Sequence, residues 1–395
     1  MVTYPQDWND VTVGDLVKTY GGLSGKRKED FENGRRPFIT YMDVYSRSVI
    51  RQPSGMVRVD ESEYQNFVSP GDLLFTQSSE TPDEVGKVAT YSGMGQPFLN
   101  SFCFGGTPRQ KFDANFLVQF LSHGAPRQAI TLLAQGSTRY NLAPGRLLTL
   151  KISIPAIREQ RAIAEVLSGF DEHLANLDEL ITKKKAIRDG ALEGLMSRDL
   201  RLDGYNMPWA VRSLDEIAHS RRESSTGDPM DMDVELENLL PGEGQVVGDT
   251  SVRTAASFIF HPGDVLFGRL RPYLKKYWLA TCSGLRSGEI WALAAKDGID
   301  PRFLFHLVRT QRFLDAAGKT MGTKMPRADW SLLKTESFEV PEVDEQRAIA
   351  EVLSGMDEEI RLLAEERAKV ERLKLGAMDD LLTGRVRLPL AKEAA

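Results

Sequence analysis

The chain has 395 residues, 41% of them hydrophobic and 27% charged, and a net charge of −6 at neutral pH. This length calls for two or more domains and supplies ample material for buried cores. No apolar run approaches the roughly 18 residues of a membrane span, so membrane integration is not expected. The acidic total weighs against a chain that binds nucleic acid over its whole surface. The charge is uneven, however: residues 158–198 and 341–388 carry −1 and −4, which leaves the rest near neutral.

Residues 1–10 lack a basic stretch followed by an apolar one, so no signal peptide is expected. Cys103 and Cys282 have no metal-binding spacing and read as buried thiols of a reducing cytoplasm. The five histidines are scattered and suggest no ligand cluster.

The chain opens with Pro5, Asp7, Trp8 and a strand-like Val11-Thr12-Val13. Gly21-Gly22-Leu23-Ser24-Gly25-Lys26 lacks the glycine spacing of a phosphate loop and reads as a flexible basic loop. The β-branched and aromatic residues 38–45 predict a strand. Pro70-Gly71-Asp72 then predicts a turn feeding the apolar strand Leu73-Leu74-Phe75. Beyond it, Ser78 to Lys87 mixes hydroxyls with charges. No acid lies between Asp113 and Glu159, whereas Arg127, Arg139, Arg146, Lys151 and Arg158 do. Inside that span, Gly136-Ser137-Thr138-Arg139-Tyr140 predicts a turn that could set backbone amides and a cation near a phosphate, or equally cap a helix. A strand over residues 148–154 ends at Pro155.

There begins Glu159-Gln160-Arg161-Ala162-Ile163-Ala164-Glu165-Val166-Leu167-Ser168-Gly169, which recurs letter for letter at residues 345–355. The 186-residue offset is too long for a solenoid repeat and marks a duplicated domain-plus-helix unit. Apolar residues continue at steps of three and four through Ile181, Ile187 and Leu195, and in the second copy through Ile360, Leu363, Val370 and Leu381. Each run predicts a helix of about 40 residues, roughly 60 Å long. Helices of this length with one apolar seam favour pairing with each other as an antiparallel coiled coil, the alternative being a helix packed on its own domain. Gly384 follows the last apolar position as a helix stop.

The second domain repeats the landmarks of the first. Pro208-Trp209 with Val211 and Leu214 matches the opening strand. The stretch Asn206-Met207-Pro208-Trp209 falls short of the amino-methyltransferase Asn-Pro-Pro-aromatic motif by one proline. After an acidic, then glycine-rich loop over residues 231–248, Pro262-Gly263-Asp264 matches the first proline-glycine-aspartate turn. Arg269-Leu270-Arg271-Pro272-Tyr273-Leu274-Lys275-Lys276 follows it, in a span free of acids from Asp264 to Glu289. Gly322-Thr323-Lys324-Met325-Pro326-Arg327 matches the second basic turn, and a strand over residues 337–340 runs into Pro341.

No catalytic set emerges. There is no Rossmann glycine loop after a strand and no nucleophile elbow with a triad. Asp72, Glu84 and Lys87 approximate a nuclease constellation, but the spacing is off by one and the second domain lacks it. A binding and assembly protein is therefore favoured over an enzyme.

The order of variable domain, helix, variable domain, helix resembles the DNA specificity subunit of type I restriction–modification systems. Ile154-Pro155 and Val340-Pro341 leading into the shared run carry this resemblance, as do residues 79–87, residues 270–276 and Leu381-Leu382-Thr383-Gly384-Arg385-Val386-Arg387-Leu388. The first helix departs from it, ending Met196-Ser197-Arg198-Asp199 without Thr-Gly. The resemblance implies an α+β chain with pseudo-twofold symmetry: target recognition domains at residues 1–157 and 199–340, spacer helices at 158–198 and 341–388, and a tail at 389–395. Each domain would read half of a bipartite site in double-stranded DNA. The helices would set the gap and dock two methyltransferase subunits, with restriction subunits joining. This cytoplasmic chain would itself be non-catalytic and hold no cofactor, the partners using S-adenosylmethionine, ATP and magnesium. The residues expected at DNA are Ser79, Thr81, Lys87, Arg139 and Tyr140 in the first domain. Those in the second are Arg269, Arg271, Tyr273, Lys275 and Lys276, arginines suiting guanine edges and lysines phosphate. Gln160, Arg161, Gln346 and Arg347 are expected at the methyltransferase. The competing readings are a coiled-coil protein-interaction scaffold without a DNA role, and a nuclease using Asp72 and Glu84.

Overall fold

The computed structural model describes residues 3–225, 230–251, 258–319 and 326–389. The chain forms two compact units, one of Met1–Leu177 with Glu366–Ala395 and one of Asp178–Glu365. Of the segments singled out above, Gly322-Thr323-Lys324-Met325 lies outside the described residues.

In the first unit, strand Asn9–Thr12 pairs antiparallel with Lys151–Ile154, so the domain closes where the long helix begins. Between them lies a five-stranded sheet ordered Val17–Gly21, Cys103–Pro108, Leu73–Thr76, Val88–Tyr91, Val49–Ile50. A three-stranded sheet of Gly55–Val57, Arg36–Ile39 and Phe98–Leu99 lies apart from it in strand order. The central strand Leu73–Thr76 is buried throughout, which explains its unbroken apolar run. The strand expected over residues 38–45 stops at Ile39, and Tyr41–Ser46 is a helix. Thr40 Oγ1 accepts from the Asp43 amide at 3.1 Å and Asp43 accepts from the Thr40 amide at 3.0 Å. This reciprocal capping box overrides local β propensity. The expected flexible loop at Lys26 is also pinned, its ammonium buried against Glu63 at 2.5 Å.

The second unit is built to the same plan. Ala210–Ser213 pairs with Ser337–Val340. The four-stranded sheet runs Ala218–Ser220, Ile290–Ala295, Val265–Gly268, Tyr277–Leu279. Both proline-glycine-aspartate turns use glycine at positive φ, 90° at Gly71 and 87° at Gly263. Asp72 accepts from the Ser69 amide and Asp264 from the His261 amide, both at 2.9 Å. Each carboxylate then takes a different half-buried partner: the Tyr20 hydroxyl at 2.6 Å for Asp72, the Arg221 guanidinium at 2.8 Å for Asp264. Cys103 is buried as expected, whereas Cys282 is only half-buried.

The long helices are Ile157–Ser197 and Val343–Leu381. They pack antiparallel inside each unit. In the first, Asp171 meets Lys374 at 2.5 Å and His173 meets Glu366 at 3.7 Å. In the second, Lys184 meets Glu359 at 2.6 Å and Arg188 meets Asp357 at 2.8 Å. Each helix also belongs to the core of the domain it follows. Ile163, Ala164 and Leu167 join the first core together with Met378, Leu381 and Leu382 from the end of the other helix. Ile349 and Leu353 join the second core together with Leu192, Leu195 and Met196. The two readings of the apolar seam thus hold together.

The helix ends match where their letters do not. Arg198 has φ 68° and Gly384 φ 70°, the left-handed conformation that stops a helix. Beyond each, Leu200 donates to Gly194 O at 2.9 Å and Val386 to Asp380 O at 3.2 Å. Arg201 then reaches Glu345 at 3.0 Å, and Arg387 reaches Glu159 at 2.6 Å. Each arginine closes on the first turn of the other helix.

Candidate nucleic-acid interface

Four groups of residues singled out from the sequence come together as local sites, one in each domain and one at each helix start.

In the first domain, the chain leaves the central sheet as Ser78–Ser79 and pairs there with Tyr140–Asn141. The connecting turn is closed by Gln135 and Asn141, whose amides exchange bonds of 2.9 and 2.8 Å. Gly136 sits at φ 142°, and a Cβ there would meet Arg139 O at 2.0 Å, so the turn requires glycine. Arg139 is exposed and lies 5.9 Å from the ring centroid of Phe102. Ser79 and Arg139 line one pocket of about 290 Å³ with Tyr41, Ser78, Glu80, Glu84 and Phe102. Ser79 Oγ donates to one oxygen of Glu84 and the Tyr45 hydroxyl to the other, at 3.1 Å. These hydroxyls hold the Glu84 carboxyl below its usual range, so it is ionised.

Behind this pocket, Arg127 donates to three backbone carbonyls, Gly86 at 2.9 Å, Asp83 at 2.7 Å and Val85 at 2.6 Å. A basic residue in an acid-free stretch is thereby spent on ordering the loop that carries Glu84. Thr81 is exposed on that loop, Lys87 is half-buried, and Tyr140 packs against the domain core. Asp72 is fully buried in its turn beneath Tyr20, and burial raises its carboxyl above the usual range. It holds its own turn and the Tyr20 hydroxyl, and no hydrogen bond or ion pair among the described residues joins it to Glu84 or Lys87.

In the second domain the matching exit is an antiparallel bridge between Leu270 and Arg327. A short 3-10 turn, Pro272–Leu274, follows, flanked by Arg271 at φ 51° and Lys275 at φ 53°. Non-glycine residues in this conformation cost about 1 kcal/mol or more each, and such strain concentrates at functional loops. Arg271, Tyr273 and Lys275 are exposed, Tyr273 by 63%. Arg269 is half-buried, its guanidinium 5.7 Å from the Trp291 ring centroid. Lys276 departs from its expected phosphate role: its ammonium donates to Leu236 O at 2.7 Å inside the unit. Arg327 is paired with Glu289 at 2.9 Å.

At the helix starts, Gln160 and Gln346 also depart from expectation. Gln160 is 3% exposed; its amide accepts from the Asp113 amide at 2.9 Å and donates to Pro155 O at 2.8 Å. Gln346 is 1% exposed; it accepts from the Asp300 amide at 2.9 Å and donates to Pro341 O and Gly298 O at 2.9 and 3.0 Å. Both glutamines fasten a helix to its own domain and present nothing to a partner. Arg161 and Arg347, one residue on, are exposed.

Sequence reasoning also missed a charged cluster in the second unit. Arg188 and Arg309 are 7% and 5% exposed and converge on Asp357 at 2.8 and 2.5 Å. Fully buried His306 accepts at Nδ1 from the Arg309 guanidinium at 3.1 Å, its Nε2 lies 3.3 Å from the Ser354 hydroxyl, and burial drives its pKa down to about 3. At the position matching Asp357 in the first unit, Asp171 takes Lys374 at 2.5 Å and Gln119 at 3.1 Å, Gln119 following its helix cap Asp113 as His306 follows Asp300. The repeated run was visible in the sequence, but not that these residues converge.

Comparison with known proteins agrees with this two-unit plan. The family described as type I restriction modification DNA specificity domain matches residues 5–186 and 279–372, well over half of the chain. The MjaVIII specificity subunit of Methanocaldococcus jannaschii is 22% identical over 414 residues, covering 97% of this chain and 94% of that protein. The EcoDI specificity subunit of Escherichia coli is 22% identical over 383 residues, covering 87% and 80%. Among solved structures, the S subunit of a type I restriction–modification system from M. genitalium superposes with a TM-score of 0.57 at 19% identity, covering 95% and 96%. A chain from a structure on complex assembly and conformational transition of the type I R-M system gives 0.58 at 15%, covering 97% and 100%. The chain belongs to the type I restriction–modification DNA specificity family.

Proposed function

We propose that this chain selects the DNA sequence on which a type I restriction–modification complex acts. Its recognition domains, residues 1–157 and 199–340, each read one half of a bipartite site. The observation that carries this reading is the doubled sheet exit. Both domains leave the central sheet through an antiparallel pairing that carries an exposed arginine near an aromatic ring, Arg139 near Phe102 on the returning side of the first and Arg271 beside Tyr273 on the outgoing side of the second. Arginine suits guanine edges and phosphate, and two unlike readers in one chain suit two unlike half-sites. Paired helices then fix the gap between half-sites, and their exposed faces, Arg161 and Arg347 included, receive two methyltransferase subunits. Restriction subunits complete the complex, and the partners carry out the chemistry with S-adenosylmethionine, ATP and magnesium. Among the described residues no helix is long and apolar enough to cross a membrane.

A modified-base map of the host genome, with the gene intact, deleted or carrying Arg271→Ala, tests the proposal. Deletion should erase methylation at one motif made of two short half-sites around a fixed gap. Arg271→Ala should weaken one half-site and spare the other. An unchanged map on deletion, in a host where the partner subunits are expressed, refutes it.

A further inference from the structure

The pocket beside Ser79 has a property that phosphate binding does not explain. Its floor is a carboxylate, Glu84, held ionised by two hydroxyls, and its rim is a cation, Arg139, with no carboxylate partner among the described residues. A carboxylate repels phosphate, so the floor is made for a hydrogen-bond donor. In the major groove of duplex DNA the donors are the amino groups of cytosine and adenine; guanine and thymine present acceptors, which Glu84 would reject. Adenine also presents N7, an acceptor that needs a donor beside the carboxylate. The Ser79 and Tyr45 hydroxyls, already donating to Glu84, do not supply one; the Ser78 and Tyr41 hydroxyls also line the pocket, so a requirement for A·T in place of C·G would overturn the assignment below. Cytosine asks only for the acceptor. Its pairing partner, guanine, offers O6 and N7 on the opposite strand, which match a guanidinium such as Arg139.

We propose that this pocket reads one C·G base pair of one half-site. Glu84 accepts from the cytosine amino group, and Arg139 donates to the guanine paired with it. The Phe102 face steadies the arginine, and the Arg127 bonds to the carbonyls of Asp83, Val85 and Gly86 fix the loop in advance, so little ordering is left for binding. The inference rests on the DNA-reading function proposed above.

The experiment measures binding of the complex, assembled with its methyltransferase subunits, to its native site and to sites substituted one base pair at a time. The wild type should show a C·G requirement at a position where Glu84→Gln lowers discrimination roughly 5- to 150-fold, the range of one good base contact. Arg139→Ala should act at that same position. Tyr45→Phe, which removes one hydroxyl from Glu84 and keeps the ring, should give a smaller loss there. All three should leave the other half-site unchanged, with unfolding midpoints confirming intact protein. Full discrimination retained by folded Glu84→Gln, or Glu84→Gln and Arg139→Ala acting at different base pairs, overturns the pocket assignment and leaves the general function standing. A wild-type complex with no sequence preference overturns both.

Discussion

Replacing Gln346 by alanine should destabilise the second unit by about 3–4 kcal/mol, although the position lies in a run that invites a partner-binding reading. The side chain satisfies three backbone groups, Pro341 O in a buried bond and the Asp300 amide and Gly298 O in half-buried ones. Each buried group left without a partner costs about 1–3 kcal/mol, and partial water entry trims the sum. Gln160→Ala orphans two such groups, the Asp113 amide and Pro155 O, and should cost about 2–3 kcal/mol in the first unit. Arg347→Ala removes an exposed side chain whose nearest carboxylate oxygen is 3.4 Å away, and should stay within about 0.5 kcal/mol. Urea unfolding of the purified chain, fitted with a transition for each unit, measures all three. A Gln346→Ala loss below about 1 kcal/mol would refute the accounting, since one buried and two half-buried bonds cannot be worth so little. So would unchanged stability together with lost methyltransferase binding.

Arg198→Gly should stabilise the second unit by about 0.5–1 kcal/mol, because glycine occupies φ 68° without the side-chain penalty and only a half-exposed contact with Glu339 is lost. Thermal unfolding reads this; a loss of stability would mean that Arg198 contributes more than its conformation costs. His306 gives the second unit a pH dependence of known sign. The unfolded imidazole takes a proton below about pH 6.5, and the folded one, buried against Arg309 and held low to about 3, does not. Its stabilisation is thus complete above about pH 6.5 and drains at up to about 1.4 kcal/mol per unit as the pH falls toward 3. His306→Gln, glutamine being the residue at the matching position 119, should flatten that part of the stability–pH curve relative to wild type; parallel curves would exclude the mechanism.

The repeat, the long helices and their antiparallel pairing were legible because each is written in local spacing: a run of identical letters, apolar steps of three and four, prolines at the helix starts. Both proline-glycine-aspartate turns were legible for the same reason. What failed was geometry made by residues far apart in the chain. Gln160 lies in an identical run, and identity does not reveal that the Asp113 amide, 47 positions earlier, has claimed its side chain. Glu84 was noticed only as an acid, since its pocket takes residues from Tyr41 to Arg139. The stop of the first helix was hidden because arginine occupies a left-handed position that glycine ordinarily marks. Arg127 and Lys276 were counted as available cations when both are spent on carbonyls of their own unit. Charge along the sequence overstates charge offered to a ligand.

The division of the chain between its units also sets an order of manufacture. The second unit is one continuous segment, Asp178–Glu365, whereas the first needs Met378, Leu381 and Leu382 to finish a core begun at Trp8 and Arg387 to pair with Asp7. The domain that leaves the ribosome first is therefore the last to be completed. About 200 residues must be made in between, which takes roughly 10–40 s at bacterial or eukaryotic rates of 5–20 residues per second. Throughout that interval Ile163, Ala164 and Leu167 stand without their partners from the second helix. A chain cut short in that helix would keep this apolar face open to chaperones and proteases even though both reading domains had been made, so synthesis itself selects for a chain that carries the second helix to its end.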